Sequence, residues 1–206
     1  MREPFNILVA GVGGQGNLVC GRILADAAIR QGLRPVVGET FGASRRGGSV
    51  LTHLRLGTRD WAPLIPKGEV DILLGLEPLE ALRAAAEYAG GHTIAITSLT
   101  KVPTADISSG EIEYPPLKRI SAALARLCKQ VYMLDTDAAL SQIGSPRVLN
   151  SFILGSMSSL PQSPLTRANI RKSLQVLLGS DTANLAAFDE GVNALQTNQS
   201  MTRSTF

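Results

Sequence analysis

A glycine-rich turn between an apolar segment and a helical segment is the feature that most constrains the fold of this chain. Residues Gly11 to Gly16 (GVGGQG) directly follow the apolar run Ile7–Ala10. They match the pattern G-x-G-x-x-G, in which glycines let backbone N–H groups at a helix N-terminus face an anion. The next segment, Asn17 to Gln31, carries apolar residues at helical spacing. The sequence therefore predicts a strand, a tight turn and a helix in succession.

Strand-like and helix-like segments alternate along the rest of the chain, which is typical of an α/β sheet with helices on both faces. The predicted strands after the first are Pro35–Glu39, Gly47–Gly57, Val70–Leu76, Thr93–Thr97 and Val131–Leu134. The predicted helices after the first are Pro78–Tyr88, Leu117–Cys128, Val148–Leu160, Arg167–Leu178 and Ala183–Leu195. A period of two in the segment 47–57 predicts that this strand is half exposed. We expect a single domain over residues 1–195 and a polar, disordered tail over residues 196–206.

Composition argues against several classes of function. The 206 residues include 20 Lys and Arg and 17 Asp and Glu, and a net charge of +3 is too small to indicate a nucleic-acid surface. No apolar run approaches the roughly 18–20 residues of a membrane span, and the first residues do not resemble an export signal. Two cysteines, Cys20 and Cys128, cannot supply a four-ligand zinc site or an iron–sulfur cluster. We therefore expect a cytoplasmic protein that binds neither nucleic acid nor membrane and has no redox metal of its own.

The glycine turn allows two interpretations. In the first, its backbone N–H groups contact the phosphate of a ligand, and Glu39 at the end of the second strand acts as the ribose-binding acid of a dinucleotide site. In the second, the glycines only let a strand and a helix pack closely. Three glycines in this pattern do not decide between binding and packing, because a fold does not fix a function.

A second glycine-containing cluster, Ser44 to Ser49 (SRRGGS), combines positive charge with an open backbone. Arg45 and Arg46 offer guanidinium groups that suit phosphate or carboxylate, beside two glycines. The same glycines would let the backbone approach a partner chain, and a solvated surface loop is the alternative. We favour contact with an anion or a partner, because the glycines make the loop chemically specific.

Candidate catalytic residues are sparse. His53 and His92 have no neighbour at the spacing of a triad or a metal site. Asp135 and Asp137 stand where they would cap a helix, and both cysteines are expected to pack as small apolar residues. We therefore predict no catalytic residue and no metal ligand in this chain.

Several short motifs follow one another in a characteristic order. The glycine turn is followed by RGGSV at Arg46–Val50 and then by HLR at His53–Arg55. The later pieces are EPLEAL at Glu77–Leu82, YPPL at Tyr114–Leu117, DTD at Asp135–Asp137, Asn150 with Leu154 and Gly155, and Asn184 with Ala187, Phe188 and Gly191. This series resembles the gamma-type domain of 2-oxoacid:ferredoxin oxidoreductases, and more closely the beta subunit of indolepyruvate:ferredoxin oxidoreductase. One departure is Arg45, which stands where close relatives are expected to have glutamine.

The resemblance implies a Rossmann-like, mostly parallel sheet with a helical C-terminal segment. It also implies a subunit of a complex that oxidatively decarboxylates a 2-oxoacid, of the indolepyruvate or aryl-pyruvate kind, to an acyl-coenzyme A. Thiamine diphosphate and [4Fe-4S] clusters are then expected on a large partner subunit that passes electrons to ferredoxin, and the chain alone is expected to be inactive. Coenzyme A is the cofactor that the resemblance associates with this domain.

The two glycine loops are the places where contact with coenzyme A or the partner is expected. The candidate binding residues are Gly11, Gly13, Gly14, Gln15, Gly16, Arg45, Arg46, Gly47, Gly48 and Ser49. Two other functions stay open at this level. One is a free-standing NAD(P)- or FAD-dependent dehydrogenase that uses the glycine turn and Glu39, and the other is a non-catalytic binding module with a Rossmann-like fold.

Overall fold

The chain folds into a six-stranded sheet covered by helices. The computed structural model describes residues 2–42, 48–103, 113–179 and 182–203, with side chains to residue 197. The strands are β1 (Phe5–Val12), β2 (Arg34–Phe41), β3 (Ser49–Gly57), β4 (Val70–Gly75), β5 (Ala89–Ser98) and β6 (Gln130–Leu134). The helices are α1 (Asn17–Arg30), α2 (Pro78–Tyr88), α3 (Leu117–Leu127), α4 (Asp137–Ile143), α5 (Leu149–Ser158), α6 (Arg167–Leu178) and α7 (Thr182–Arg203), with a 3₁₀ turn (Pro146–Val148) before α5. None of the helices in these ranges combines the length and the apolar character that a membrane span requires.

The strand order β2-β3-β1-β4-β5-β6 places β1 inside the sheet. Strands β1, β4, β5 and β6 run parallel to one another, whereas β3 runs antiparallel to both of its neighbours, β1 and β2. The expected α/β fold with a mostly parallel sheet is thus confirmed. The predicted unit of strand, helix and strand is present as β1, α1 and β2, but β3 lies between its two strands.

Both faces of β1 are buried, which explains why the run at its centre is apolar without interruption. Ile7 and Val9 belong to a core shared with α1, α5, α6 and α7, whereas Leu8 and Ala10 belong to a core shared with α2 and α3. Successive side chains of a strand point to opposite faces. A strand that is covered on both faces therefore needs apolar residues at successive positions.

The prediction that β3 is half exposed is wrong. His53 is fully buried and Arg55 is 7% exposed, because α1 packs on one face of β3 and the segment 62–65 covers the other. Arg55 Nη1 donates to the carbonyl oxygens of Ala62 and Leu64, and the Ile65 N–H donates to His53 Nδ1. His53 and Arg55 of β3 thus bind this segment instead of water.

The last helix is longer than the sequence predicts. Helix α7 continues to Arg203, so it includes residues 196–203 of the segment that was expected to be disordered, and residues 204–206 lie outside the described ranges. Helices α5 and α7 approach each other closely. A Cβ on Gly191 would lie 1.9 Å from the carbonyl oxygen of Phe152, and one on Gly155 would lie 2.0 Å from that of Phe188.

Candidate functional site

The carboxyl ends of β1 and β4 meet where the chain connections diverge. From β1 the chain passes through α1 toward β2 on one side of the sheet, and from β4 it passes through α2 toward β5 on the other. In open α/β sheets, ligands bind in the crevice at such a point. The predicted glycine turn lies here, between Val12 at the end of β1 and Asn17 at the start of α1.

The glycine turn leaves the N-terminus of α1 open. Gly14 and Gly16 have φ angles of 103° and 91°, in the left-handed region that favours glycine. Gly16 is the N-cap of α1, and among the described residues no side chain caps this helix and its first turn has no acidic residue. The first N–H groups of a helix lack partners within the helix, and the helix dipole makes this end partly positive. This end of α1 can therefore hold an anion.

The side chain of Gln15 is used within the loop. Its Oε1 accepts the Val12 N–H at 2.7 Å, and its Nε2 donates to the carbonyl oxygen of Leu76 at 3.0 Å. These two bonds tie the glycine turn to the end of β4. The side chain of Gln15 thus holds the loop in shape, and its predicted contact with a ligand stays a prediction.

Gly11 and Gly13 connect the loop to its surroundings. A Cβ on Gly11 would lie 2.7 Å from Asn17 Oδ1 and 2.9 Å from Gln15 Oε1, so this glycine is needed for close packing. The Gly13 N–H donates to the carbonyl oxygen of Gly48 at 2.9 Å. That bond brings Gly48 of the second glycine cluster against the first cluster.

The described part of the second cluster continues into β3. Ser49 pairs with Val12 in the register of β1 and β3, and its carbonyl oxygen accepts the Gly42 N–H at 2.8 Å. Arg45, Arg46 and Gly47, the other predicted binding residues of this cluster, lie outside the described residues. Their contact with a ligand or a partner stays a prediction.

Asn150, one residue of the motif series, lies at this site, although the sequence alone assigns it no role there. It lies in the first turn of α5 and is 5% exposed. Its Nδ2 lies 2.9 Å from the position that a Cβ on Gly16 would occupy, so the side chain reaches the N-cap of α1. In the sequence, Asn150 is a single polar residue at the start of an apolar helical segment. Nothing in its neighbouring residues indicates which loop the asparagine faces.

A buried carboxyl group, Glu77, follows β4 at the same edge. It is the N-cap of α2, where it accepts the Glu80 N–H at 2.8 Å, and it also accepts the hydroxyl of Tyr114. Burial raises the pKa of Glu77 above its usual range, although these bonds and the Val102 N–H oppose that shift. Burial, together with the bond to Glu77, likewise raises the pKa of Tyr114. Glu77 thus joins two chain segments that leave the carboxyl edge of the sheet.

A cavity of about 300 Å³ opens beside the carboxyl ends of β5 and β6. Thr100, Ser141 and Ser145 contribute hydroxyl groups to its wall, and Leu140 and Leu149 contribute the apolar part. Leu149 precedes Asn150 in α5, so the cavity lies on the same edge of the sheet as the glycine turn. The volume is at the lower end of those that hold small ligands.

The residues that the sequence analysis considered structural have structural surroundings. His53 is buried in β3, where burial lowers its pKa. Burial raises the pKa of Cys20 to about 12 and that of Cys128 to about 11. The two cysteines belong to cores on opposite faces of the sheet, so they cannot bind one common group. Among the described residues, no three His, Cys, Asp or Glu side chains are grouped as a metal site.

Comparison with known proteins identifies the family of this chain. The family model of pyruvate ferredoxin/flavodoxin oxidoreductase matches residues 6–194. The indolepyruvate oxidoreductase subunit IorB of Archaeoglobus fulgidus is 34% identical over 191 residues, which are 92% of this chain and 94% of that protein. The protein of the same name from Thermococcus kodakarensis is 31% identical over 195 residues, 93% of this chain and 96% of the other.

Solved structures share the fold at low sequence identity. The gamma subunit of the keto/oxoacid ferredoxin oxidoreductase from Geobacter sulfurreducens superimposes with a TM-score of 0.67 at 21% identity, covering 94% of this chain and 99% of that chain. The 2-oxoglutarate:ferredoxin oxidoreductase from Magnetococcus marinus, solved with 2-oxoglutarate, coenzyme A and succinyl-CoA bound, gives 0.71 at 21% identity and covers 96% of this chain but 32% of that chain. The match over residues 6–194 and the relatives above 30% identity agree with the motif resemblance, and this chain belongs to the pyruvate ferredoxin/flavodoxin oxidoreductase family.

Proposed function

We propose that this chain is the small subunit of a 2-oxoacid:ferredoxin oxidoreductase of the indolepyruvate type. The support is the family membership, together with relatives named as indolepyruvate oxidoreductase subunits that match almost the full chain. The large partner subunit carries thiamine diphosphate and the iron–sulfur clusters, on which the 2-oxoacid is decarboxylated and from which electrons pass to ferredoxin. The placement of Cys20 and Cys128 on opposite faces of the sheet supports clusters that are bound elsewhere.

The role of this chain is to hold coenzyme A at the carboxyl edge of its sheet. The observation that carries this proposal is the open N-terminus of α1, where Gly16 is a left-handed N-cap without a side-chain cap among the described residues. Coenzyme A carries phosphate groups, and a helix N-terminus binds phosphate through its unpaired N–H groups and its dipole. The donors at this edge therefore fit the charged end of that molecule.

The absence of a Cβ at Gly14 supports the same fit. Apart from its chain neighbours, no described residue places an atom within 4 Å of the position that a Cβ on Gly14 would occupy, so a ligand can approach the backbone there. Arg45 and Arg46 directly precede Gly47 and Gly48 in sequence, and Gly48 bonds to Gly13. Their guanidinium groups would add positive charge for phosphate beside the loop.

Affinity purification of the tagged chain from its native cells tests the assembly. We expect a large subunit to co-purify with iron and thiamine diphosphate in fixed ratio to this chain, as measured by mass spectrometry and metal and cofactor analysis. Purification of the chain alone, or with a partner that holds neither iron nor thiamine diphosphate, contradicts the proposal.

Steady-state kinetics of the assembled complex test the coenzyme A contact. Arg46→Ala removes a guanidinium group from the second glycine cluster, so we expect a higher KM for coenzyme A and an unchanged KM for the 2-oxoacid. Arg126→Ala, on the exposed part of α3, is the matched control and should leave both values unchanged. An unchanged KM for coenzyme A in an intact Arg46→Ala complex contradicts contact through this loop.

A further inference from the structure

The side chain of Asn150 has one end bonded within α5 and the other end at the glycine turn. Its Oδ1 accepts the Ser151 N–H at 2.8 Å. Its Nδ2 lies against Gly16, 2.9 Å from where a Cβ would be. The Oδ1 bond fixes which end of the amide faces the turn, because only an oxygen can accept the Ser151 N–H.

The Nδ2 group of Asn150 has no hydrogen-bond acceptor among the described residues. Within the described part of the chain, its hydrogen bonds are those that Oδ1 accepts from Ser151. The residue is 95% buried, since 5% of its surface is exposed. The Nδ2 atom itself is not fully enclosed, so a ligand with acceptor oxygens can reach it and supply the acceptor that the described part of the chain does not.

Two independent sets of donors therefore converge on Gly16. One is the N-terminus of α1, which has no side-chain cap and no acidic residue in its first turn among the described residues. The other is the Asn150 amide, which comes from a helix more than one hundred residues away in sequence. An acceptor with several oxygens and negative charge, such as a phosphate group, satisfies both.

One unpaired acceptor belongs to the residue that follows Gly16. Among the described residues, Asn17 Oδ1 is buried and without a hydrogen-bond partner, and it lies 2.7 Å from the Cβ position of Gly11. Gly11 is the residue of β1 that precedes Val12, so this oxygen lies beside the end of the strand.

We infer that Asn150 is a binding residue for a phosphate group, which its side-chain amide and the N-terminus of α1 hold together. This inference rests on the proposed function, because coenzyme A is the phosphate-containing molecule proposed for this edge. Asn150 would then select a ligand with a phosphate at this point over an uncharged analogue of the same shape.

The test is a calorimetric titration of coenzyme A into the full chain, alone and assembled with its large subunit. Asn150→Asp keeps an oxygen for the Ser151 N–H but replaces the donor with a negative charge, so we expect the Kd for coenzyme A to rise at least about tenfold. Asn193→Asp makes the same change of charge on the exposed side of α7, and it should bind like the unaltered chain. Circular dichroism and Tm establish that each variant is folded.

A second measurement needs no substitution. In a ¹H–¹⁵N spectrum of the unaltered chain, the side-chain NH₂ signals of Asn150 should move in a saturable way on addition of coenzyme A. They should move less with pantetheine, which carries no phosphate.

The outcomes separate this inference from the proposed function. The inference is overturned if the unaltered chain and Asn150→Asp bind coenzyme A with equal affinity and the Asn150 signals do not move. That result leaves the proposed function standing. If neither the chain nor the assembled complex shows saturable binding of coenzyme A, the proposed coenzyme A role and the inference both fall.

Discussion

Gly16 has a backbone conformation that other residues adopt only with strain. Its φ is 91°, and a Cβ would also lie 2.9 Å from Asn150 Nδ2. Since the left-handed region costs about 1–2 kcal/mol for a residue with a Cβ, Gly16→Ala should lower the free energy of unfolding by at least that amount. Urea denaturation followed by circular dichroism measures the difference.

Two other glycines serve as matched controls for this substitution. Gly14 has a φ of 103° but open space around its Cβ position, so Gly14→Ala should show the backbone strain alone. Gly91 has neither a positive φ nor a neighbour within 4 Å, so Gly91→Ala should be close to neutral. Equal losses for Gly14→Ala and Gly16→Ala would show that Asn150 does not confine the N-cap.

His53 makes the stability of the chain depend on pH. Burial lowers its pKa in the folded state, and the charge of Glu87 opposes this only in part. The unfolded chain takes up a proton near pH 6.5, but the folded chain does so at lower pH. The stabilising contribution is therefore complete above about pH 6.5 and is lost as the pH falls through the folded pKa, with a slope of up to about 1.4 kcal/mol per pH unit.

Urea denaturation between about pH 5 and pH 8 measures this slope. His53→Gln removes the titrating group, so its free energy of unfolding should change less with pH than that of the unaltered chain. That variant leaves the two neighbours of the imidazole ring unchanged. The Ile65 N–H bonds to His53 Nδ1, and the Tyr88 ring lies 5.2 Å from the imidazole ring. The same slope in both proteins would assign the pH dependence to other groups.

At the level of elements, the packing of α5 on α7 depends on two glycines. A Cβ on Gly191 would lie 1.9 Å from the backbone oxygen of Phe152, which cannot move away without separating the helices. Gly191→Ala should therefore destabilise the chain by about 1–3 kcal/mol, although alanine favours an isolated helix by up to about 1 kcal/mol over glycine. Thermal denaturation of Gly191→Ala beside Glu190→Ala, an exposed neighbour in the same helix, measures this cost. A stabilised Gly191→Ala variant would contradict the close approach.

Local signals predict some elements well and fail for others. Helices α2 and α6 begin and end where the sequence predicts, because Pro78 and the capping Thr166 mark their starts and Gly179 follows α6. The predicted exposure of β3 was wrong. The alternation of its polar residues is the same whether they contact water or the segment 62–65. Local pattern specifies the strand, and tertiary contacts decide what covers it.

At the level of the whole molecule, the sequence locates half of the candidate site. The glycine turn could be predicted, because its strand, glycines and helix are adjacent in sequence. The position of Asn150 could not, because it depends on how α5 packs beside α1. The order of strands was also beyond local pattern, since the alternation of β3 does not reveal that it runs antiparallel between β1 and β2.

That strand order leads to a prediction about nicotinamide cofactors. In the register of the sheet, Glu39 of β2 pairs with Thr52 of β3, and Thr52 pairs with Val9 of β1. With strands about 4.8 Å apart, Glu39 lies about 10 Å to the side of the strand that carries the glycine turn. In dinucleotide-binding folds, the strand that follows the first helix lies directly beside the first strand. Glu39 is therefore too far aside to bind the ribose of a dinucleotide whose phosphates lie at the turn.

Titration of the full chain with NAD, NADP and FAD, followed by calorimetry and cofactor fluorescence, tests this conclusion. We expect no saturable binding in the micromolar range, under conditions in which coenzyme A is titrated as the positive comparison. Glu39→Ala should change neither result, because its carboxyl group lies at the outer strand of the sheet. Micromolar binding of a nicotinamide or flavin cofactor that Glu39→Ala abolishes would instead favour a dehydrogenase. Such a cofactor would have to span three strands to contact both the glycine turn and Glu39.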